Sequence, residues 1–175
     1  NKAGTPEHQE KKKALLENFY MKFYKAKLAG KQINVYIKTT IGGSCVKDTI
    51  NTVELPNFQI KPLGAQTDLF NKIELYYNVR EVAPKESNVI TALAIDERSH
   101  KIDIIAGENL PTGYEMIFLL MSESFQGSVD GARINLSIPD SDLSIIKFIF
   151  RNAIAEVVKE QFPQIERNNK SKEKY

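Results

Sequence analysis

The chain has 175 residues, of which 42% are hydrophobic and 26% charged, and its formal net charge is +2. This length predicts one domain with tails. No run approaches the roughly 20 apolar residues of a membrane-spanning helix, so we expect no membrane partner. The single cysteine, Cys45, excludes an internal disulfide and a cysteine metal cluster.

The net charge is small, but the N-terminal and C-terminal segments are both basic. Residues 1–31 carry eight lysines against three glutamates, and residues 162–175 carry four basic residues against two acidic ones. The segment between them is therefore net negative. Basic ends favour an anionic partner, although lysine-rich termini can also serve solubility alone.

We predict three regions along the chain: a disordered segment over 1–9, a single α+β domain over 10–162, and a basic, disordered tail over 163–175. The lone cysteine favours a reducing compartment, so we expect an intracellular protein, cytoplasmic or organellar. The chain begins with Asn1 rather than Met, which leaves a removed signal peptide, and hence secretion, open.

The segment 10–28 carries two competing periodicities. Leu15, Phe19 and Phe23 recur every four residues as in a helix, whereas Phe19, Met21 and Phe23 alternate with polar or aromatic residues as in a strand. We favour a helix through about Phe23, followed by extended chain.

Strand patterns follow. Three segments are expected to be strands: 33–38, 45–55 and 58–63. The glycine pair at 42–43 predicts a tight turn between the first two. Residues 67–83 fit a capped helix and an alternating strand equally well, so periodicity leaves that segment open.

The C-terminal half predicts a four-stranded meander and then a long amphipathic helix. The expected strands are 89–95, 101–106, 114–121 and 133–138, with a polar hairpin connection over 96–100. After Pro139, either Asp140 or Ser141 is expected to cap a helix that reaches Val158. Its buried stripe should be Leu143, Ile146, Ile149, Phe150, Ala153, Ile154 and Val157. The predicted fold class is α+β, with antiparallel sheets, as two four-stranded meanders or a similar arrangement, backed by helices.

Few residues suggest catalysis or metal binding. His8 in the loose N-terminus and His100 in a hairpin connection are both expected on the surface, which disfavours a histidine-based site. Cys45 fits a small strand residue better than a reactive thiol. We therefore predict no enzymatic activity, no cofactor and no metal site.

Basic and aromatic residues lie close together between 24 and 38. Single-stranded nucleic acid is held by cations on its phosphates and by rings on which bases stack. The candidate phosphate contacts are Lys25, Lys27, Lys31 and Lys38, and the candidate stacking rings are Tyr24 and Tyr36. Core aromatics flanked by solvated lysines would give the same pattern.

The element order resembles the Whirly type of single-stranded DNA- and RNA-binding domain, whose relatives include mitochondrial RNA-binding proteins of trypanosomes. The resemblance covers about residues 22–160 and is best over 113–116 and over 133–139 into the last helix. The stretch 23–29 is similar to the family's Tyr-Lys-Gly-Lys-Ala-Ala-Leu, although Ala26 replaces its glycine. The resemblance implies binding of single strands across sheet edges and assembly as tetramers.

The last helix has a broad apolar face, and the residues that flank its stripe suggest a second contact. We predict an oligomer interface of Ile145, Phe148 and Val158, with a deeper monomeric core as the alternative explanation. The predicted function is sequence-tolerant binding of single-stranded RNA or DNA by a homo-oligomer. The alternative is a protein–protein interaction or structural assembly module that does not bind nucleic acid.

Overall fold

The computed structural model of the protein describes residues 5–52, 55–64, 72–104, 110–125 and 136–164. These ranges contain three α-helices and seven β-strands. In chain order they are α1 (Pro6–Asn18), α2 (Tyr20–Leu28), β1 (Asn34–Ile41), β2 (Ser44–Asn51), β3 (Gln59–Gly64), β4 (Ile73–Glu81), β5 (Asn88–Ile95), β6 (Arg98–Lys101), β7 (Tyr114–Met121) and α3 (Asp140–Gln161).

Helix α1 begins earlier than the sequence suggested. Thr5 caps it, because the Thr5 side-chain oxygen accepts a hydrogen bond from the backbone N–H of His8 at 3.3 Å. Pro6 occupies the first turn, where its missing N–H costs nothing. The expected disorder over 1–9 is therefore wrong from Pro6 onward, and residues 1–4 lie outside the described ranges.

Helix α2 continues to Leu28, so the expected change to extended chain after Phe23 is wrong. Five aromatic or apolar residues of α2 are buried: Tyr20, Met21, Phe23, Tyr24 and Ala26. Packing of that face against the sheet decides between the two periodicities. The break between the helices falls at Phe19, whose φ of −121° and ψ of 20° leave helical geometry.

The main sheet has five strands in the order β3-β4-β7-β5-β6. Neighbours are antiparallel except β5 and β7, which run parallel from the pair Asn88–Glu115 to the pair Ala94–Met121. The α+β class is confirmed, but the four-stranded meander is wrong because β7 inserts between β4 and β5. Residues 116–120 are consecutive apolar residues with no exposure, as a strand covered on both faces requires.

The β5–β6 hairpin is present, with a shorter turn than expected. Asp96 and Glu97 form the turn with φ of 48° and 68°, and Arg98 already belongs to β6. The segment whose periodicity was ambiguous is strand β4 from Ile73, and residues 65–71 lie outside the described ranges. The expected strands 101–106 and 133–138 fall partly on residues that the structure leaves undescribed.

Helix α3 covers one face of the main sheet. Its predicted stripe is confirmed: Ile146, Ile149, Phe150, Ala153, Ile154 and Val157 are buried, and Leu143 is half-buried. These side chains pack on alternate residues of β7, namely Met116, Phe118 and Leu120. The N-cap position is Pro139, so capping by Asp140 or Ser141 is wrong, and both residues lie in the first turn.

Helix α2 and the β1–β2 hairpin cover the opposite face. The other residues of β7, Ile117 and Leu119, pack there with Tyr24 and with Ile50 of β2. The molecule is thus a three-layer arrangement in which both faces of the main sheet are buried. The β1–β2 hairpin is a separate two-stranded sheet.

Candidate nucleic-acid interface

The β1–β2 hairpin presents one polar face away from the body of the protein. A two-residue turn at Gly42 and Gly43, with φ of +56° and +80°, joins the strands, which confirms the expected turn. Because side chains alternate along a strand, one face carries Asn34, Tyr36, Lys38, Thr40, Cys45, Lys47, Thr49 and Asn51. We call these eight residues the outer hairpin face; all are exposed or half-exposed.

Two of the predicted site residues meet on this face. The Tyr36 side chain is 81% exposed, and Lys38 follows two residues later on the same side of β1. The strand register places Thr49 opposite Tyr36 and Lys47 opposite Lys38. A cavity of about 330 Å³ is lined by these four residues together with Ile37 and Asp48. The structure therefore groups one ring with two ammonium groups.

The two lysines of the outer hairpin face are not neutralised by the protein. Among the described residues, no carboxylate lies within 4.0 Å of the Lys38 or Lys47 ammonium group, whereas Lys11 pairs with Glu7 at 2.9 Å. Like charges directly opposite each other across a strand pair are destabilising. A bound anion would relieve that repulsion.

Lys47 was missed by the sequence analysis, although a signal for it was present. A two-residue turn at 42–43 fixes the register of the flanking strands, so that Lys38 must pair with Lys47. The basic pair could have been found from the turn alone.

The inner side of the hairpin contains a polar cluster that joins it to α1. The His8 ring has no exposure; its Nδ1 lies 2.8 Å from Thr39 Oγ1 and its Nε2 lies 3.4 Å from Asp48 Oδ2. Lys12 Nζ lies 3.1 Å from the same Asp48 oxygen. The expected surface position of His8 is therefore wrong. Its partners lie 31 and 40 residues away, so local sequence gives no indication of them.

Asp48 is held ionised by its surroundings. The backbone N–H of Thr49 donates to Asp48 Oδ1 at 2.7 Å, and this bond is the main cause of a lowered pKa of the carboxyl group. Burial is the next cause and opposes it, whereas Lys12 and then His8 lower the pKa further. The sequence of hydroxyl, imidazole and carboxylate resembles a hydrolytic triad in composition only. The Thr39 hydroxyl is buried with His8, so in this arrangement it connects α1 to the hairpin.

Tyr24 lies apart from the outer hairpin face. Its ring is 7% exposed, its hydroxyl donates to the carbonyl oxygen of Phe58 at 3.4 Å, and it makes edge contacts with Phe58 and Tyr76. A base cannot stack on a ring enclosed in this way. We therefore remove Tyr24 from the candidate interface.

The remaining predicted lysines have different surroundings. Lys27 Nζ donates to Asn57 Oδ1 at 2.7 Å, and Lys31 is exposed in the connection between α2 and β1. Lys25 borders a second cavity of about 550 Å³ whose carboxylates outnumber its lysines. The charged lining residues there are Lys25, Lys72, Glu74, Asp96, Glu97 and Glu123. This cavity is unsuited to phosphate.

The predicted oligomer residues separate into two groups. Ile145 and Val158 are half-buried and pack against the core beneath α3, as the deeper-core explanation requires. The Phe148 side chain is 63% exposed.

Comparisons with protein-family models, curated proteins and solved structures returned no match. The Whirly-type resemblance thus stays a prediction. In the described part of the chain, no helix is both long and apolar enough to cross a membrane. Over the same ranges, His, Cys, Asp and Glu side chains form no group of three that could hold a metal ion.

Proposed function

We propose that the protein binds single-stranded RNA or DNA, with little sequence preference, through the outer hairpin face. The observation that carries the proposal is the grouping of the 81%-exposed Tyr36 ring with Lys38 and Lys47, neither of which forms an ion pair with a described residue. A base stacked on the ring would cover apolar surface that folding leaves in water, and stacking of this kind is worth about 1–3 kcal/mol per base.

The spacing of the three side chains suits one nucleotide and its phosphates. Tyr36 and Lys38 are two residues apart on one strand, which corresponds to about 7 Å. Lys47 lies directly across from Lys38, with Cβ atoms about 5 Å apart in such a pair. Lys31, exposed just before β1, extends the path of positive charge. Stacking accepts every base, so this arrangement supports sequence-tolerant binding.

Salt dependence tests the proposal. Three lysine–phosphate contacts, from Lys31, Lys38 and Lys47, predict a slope of about −2 in a plot of log K against log salt for a single strand. Affinity for a fluorescent single strand should therefore fall about 20-fold between about 50 and 200 mM salt, as measured by anisotropy. Absence of a complex at the lower salt would exclude the proposed function.

Self-association through α3 is a second, separate proposal, and it rests on the exposed ring of Phe148. A second copy would bury this ring, whereas a single exposed apolar residue is also ordinary on the surface of a monomer. Sedimentation velocity of the protein and of Phe148→Ser separates the outcomes. A homo-oligomer that Phe148→Ser dissociates supports self-association, and a monomer at all accessible concentrations overturns it.

The single thiol supports a proposal about the compartment. Cys45 is free and exposed on β2, and an exposed thiol persists more readily under reducing conditions. We therefore propose an intracellular location, which subcellular fractionation would test.

A further inference from the structure

One carboxylate conflicts with phosphate binding at the outer hairpin face. Asp48 borders the same cavity as Tyr36, Lys38 and Lys47. An aspartate is ionised at neutral pH even at its ordinary pKa, and the pKa of Asp48 is lowered further by the Thr49 hydrogen bond. A carboxylate free to turn toward a bound phosphate would weaken binding by charge repulsion.

The strand register places this carboxylate on the inner side of the hairpin, where the backbone N–H of Thr49 and helix α1 both contact it. Lys12 Nζ and His8 Nε2 lie 3.1 Å and 3.4 Å from Asp48 Oδ2, and both residues belong to the first two turns of α1. The second ring nitrogen of His8 contacts Thr39 Oγ1 on the neighbouring strand. Asp48 and Thr39 thus point toward α1, while the intervening side chains of each strand point outward.

The other end of α1 is fixed to the main sheet. Glu17 is buried, and its Oε2 lies 2.6 Å from the ammonium group of Lys101 on β6. Lys13 lies 3.8 Å from the other Glu17 oxygen. Because α1 is attached at both ends, it can hold the hairpin and its carboxylate in one position relative to the sheet.

We propose that Lys12 and His8 are positioning residues for nucleic-acid binding, because they compensate the charge of Asp48 and keep its carboxylate turned toward α1, which leaves the outer hairpin face positively charged. The inference rests on the proposed function and assigns residues that would not touch the nucleic acid. Lys12 supplies the compensating charge, and His8 supplies the contact to both strands.

The neighbouring Lys11 provides a matched control. It is one residue away on α1 and carries the same charge, but its partner is Glu7, and both side chains of that pair are more than half exposed. Lys11→Met and Lys12→Met therefore remove the same charge from the same helix, and only the second removes a cation from Asp48.

The test is a double-mutant cycle with Asp48→Asn, using anisotropy with a fluorescent single strand at low salt. We expect Lys12→Met to raise Kd about fivefold more than Lys11→Met does. In the Asp48→Asn background the two lysine variants should differ by less than about 1.5-fold, because no charge remains to be held. Lys12→Arg, which retains the cation, should bind as the wild type does.

The outcomes separate this inference from the proposed function. If the wild type binds no single strand, the proposed function fails and this inference fails with it. If the wild type binds but Lys12→Met equals Lys11→Met, or if its extra loss persists with Asp48→Asn, only the positioning role is overturned. Circular dichroism shows which variants are folded. If Lys12→Met does not fold, Lys12→Gln and Lys12→Arg are compared instead. Equally weak binding by these two variants would overturn the inference.

Discussion

The two β-sheets of this protein differ in how many of their faces are buried. In the five-stranded sheet, every residue from 116 to 120 is buried between two layers, so packing accounts for each side chain. In the β1–β2 hairpin only the inner side packs on the protein, and Tyr36 remains 81% exposed. The side chains of the outer hairpin face pack against no other layer, so packing constrains them less. We propose that they serve binding.

The largest expected effect concerns the packed region. Phe150 on α3 has no exposure, so Phe150→Ala should lower the free energy of unfolding by about 3–5 kcal/mol. Phe148→Ala, on the exposed side of the same helix, should change it by less than about 0.5 kcal/mol. Denaturant unfolding measures both, and equal losses would contradict the assigned orientation of α3.

The second-largest effect is on nucleic-acid affinity and comes from a substitution in the hairpin that should leave stability nearly unchanged. Tyr36→Ala should weaken single-strand binding by about 1–3 kcal/mol, since it removes the stacking ring. Tyr36→Phe keeps the ring and serves as the control, with affinity close to the wild type. Equal affinity of Tyr36→Ala and the wild type in anisotropy titrations would exclude stacking on this residue.

Substitution of a single lysine should have a smaller effect, which appears in the salt dependence of binding. Lys38→Gln and Lys47→Gln should each make the log K against log salt slope shallower by about 0.7, because each removes one phosphate contact. Lys85→Gln, in the exposed turn Pro84–Glu86, removes the same charge far from the hairpin in sequence and should leave the slope unchanged. Equal slopes for all three variants would indicate that binding depends on net charge alone.

The smallest effect comes from protonation of Asp48, whose carboxylate is held first by the backbone N–H of Thr49 and then by α1. Asp48 has a pKa below its ordinary value, so its ionised form stabilises the fold above about pH 4, and this contribution is lost as pH falls through the folded-state pKa. The groups facing it are Lys12 and His8. On acidification to about pH 3, the free energy of unfolding should therefore fall more for the wild type than for Asp48→Asn. The difference between the two losses should be less than about 1 kcal/mol. A loss as large in Asp48→Asn would contradict this role.

The contrast between the two sheets also explains what the sequence could predict. The stripe of α3 and the glycine turn at 42–43 were predicted correctly, because each depends on residues close together in the chain. The position of β7 between β4 and β5 was not predicted, because strand order depends on long-range packing. The continuous apolar run 116–120 was the available sign of a central strand.

The candidate site divides in the same way. Tyr36 and Lys38 were found because they alternate on one strand, and Lys47 was missed because its pairing was not followed through the turn. Tyr24 and Lys25 were included because neighbouring aromatic and basic residues give the same sequence pattern in a helix as at the edge of a sheet. His8 required a contact across 40 residues, which no local pattern reveals.

An NMR titration tests most directly whether the outer hairpin face contacts nucleic acid. An isotope-labelled protein is titrated with a short single strand while the backbone amide signals are followed. We predict that the largest shifts occur in β1 and β2, around Tyr36, Lys38 and Lys47. Shifts confined to α3, or to the acidic cavity beside Lys25, would contradict the account.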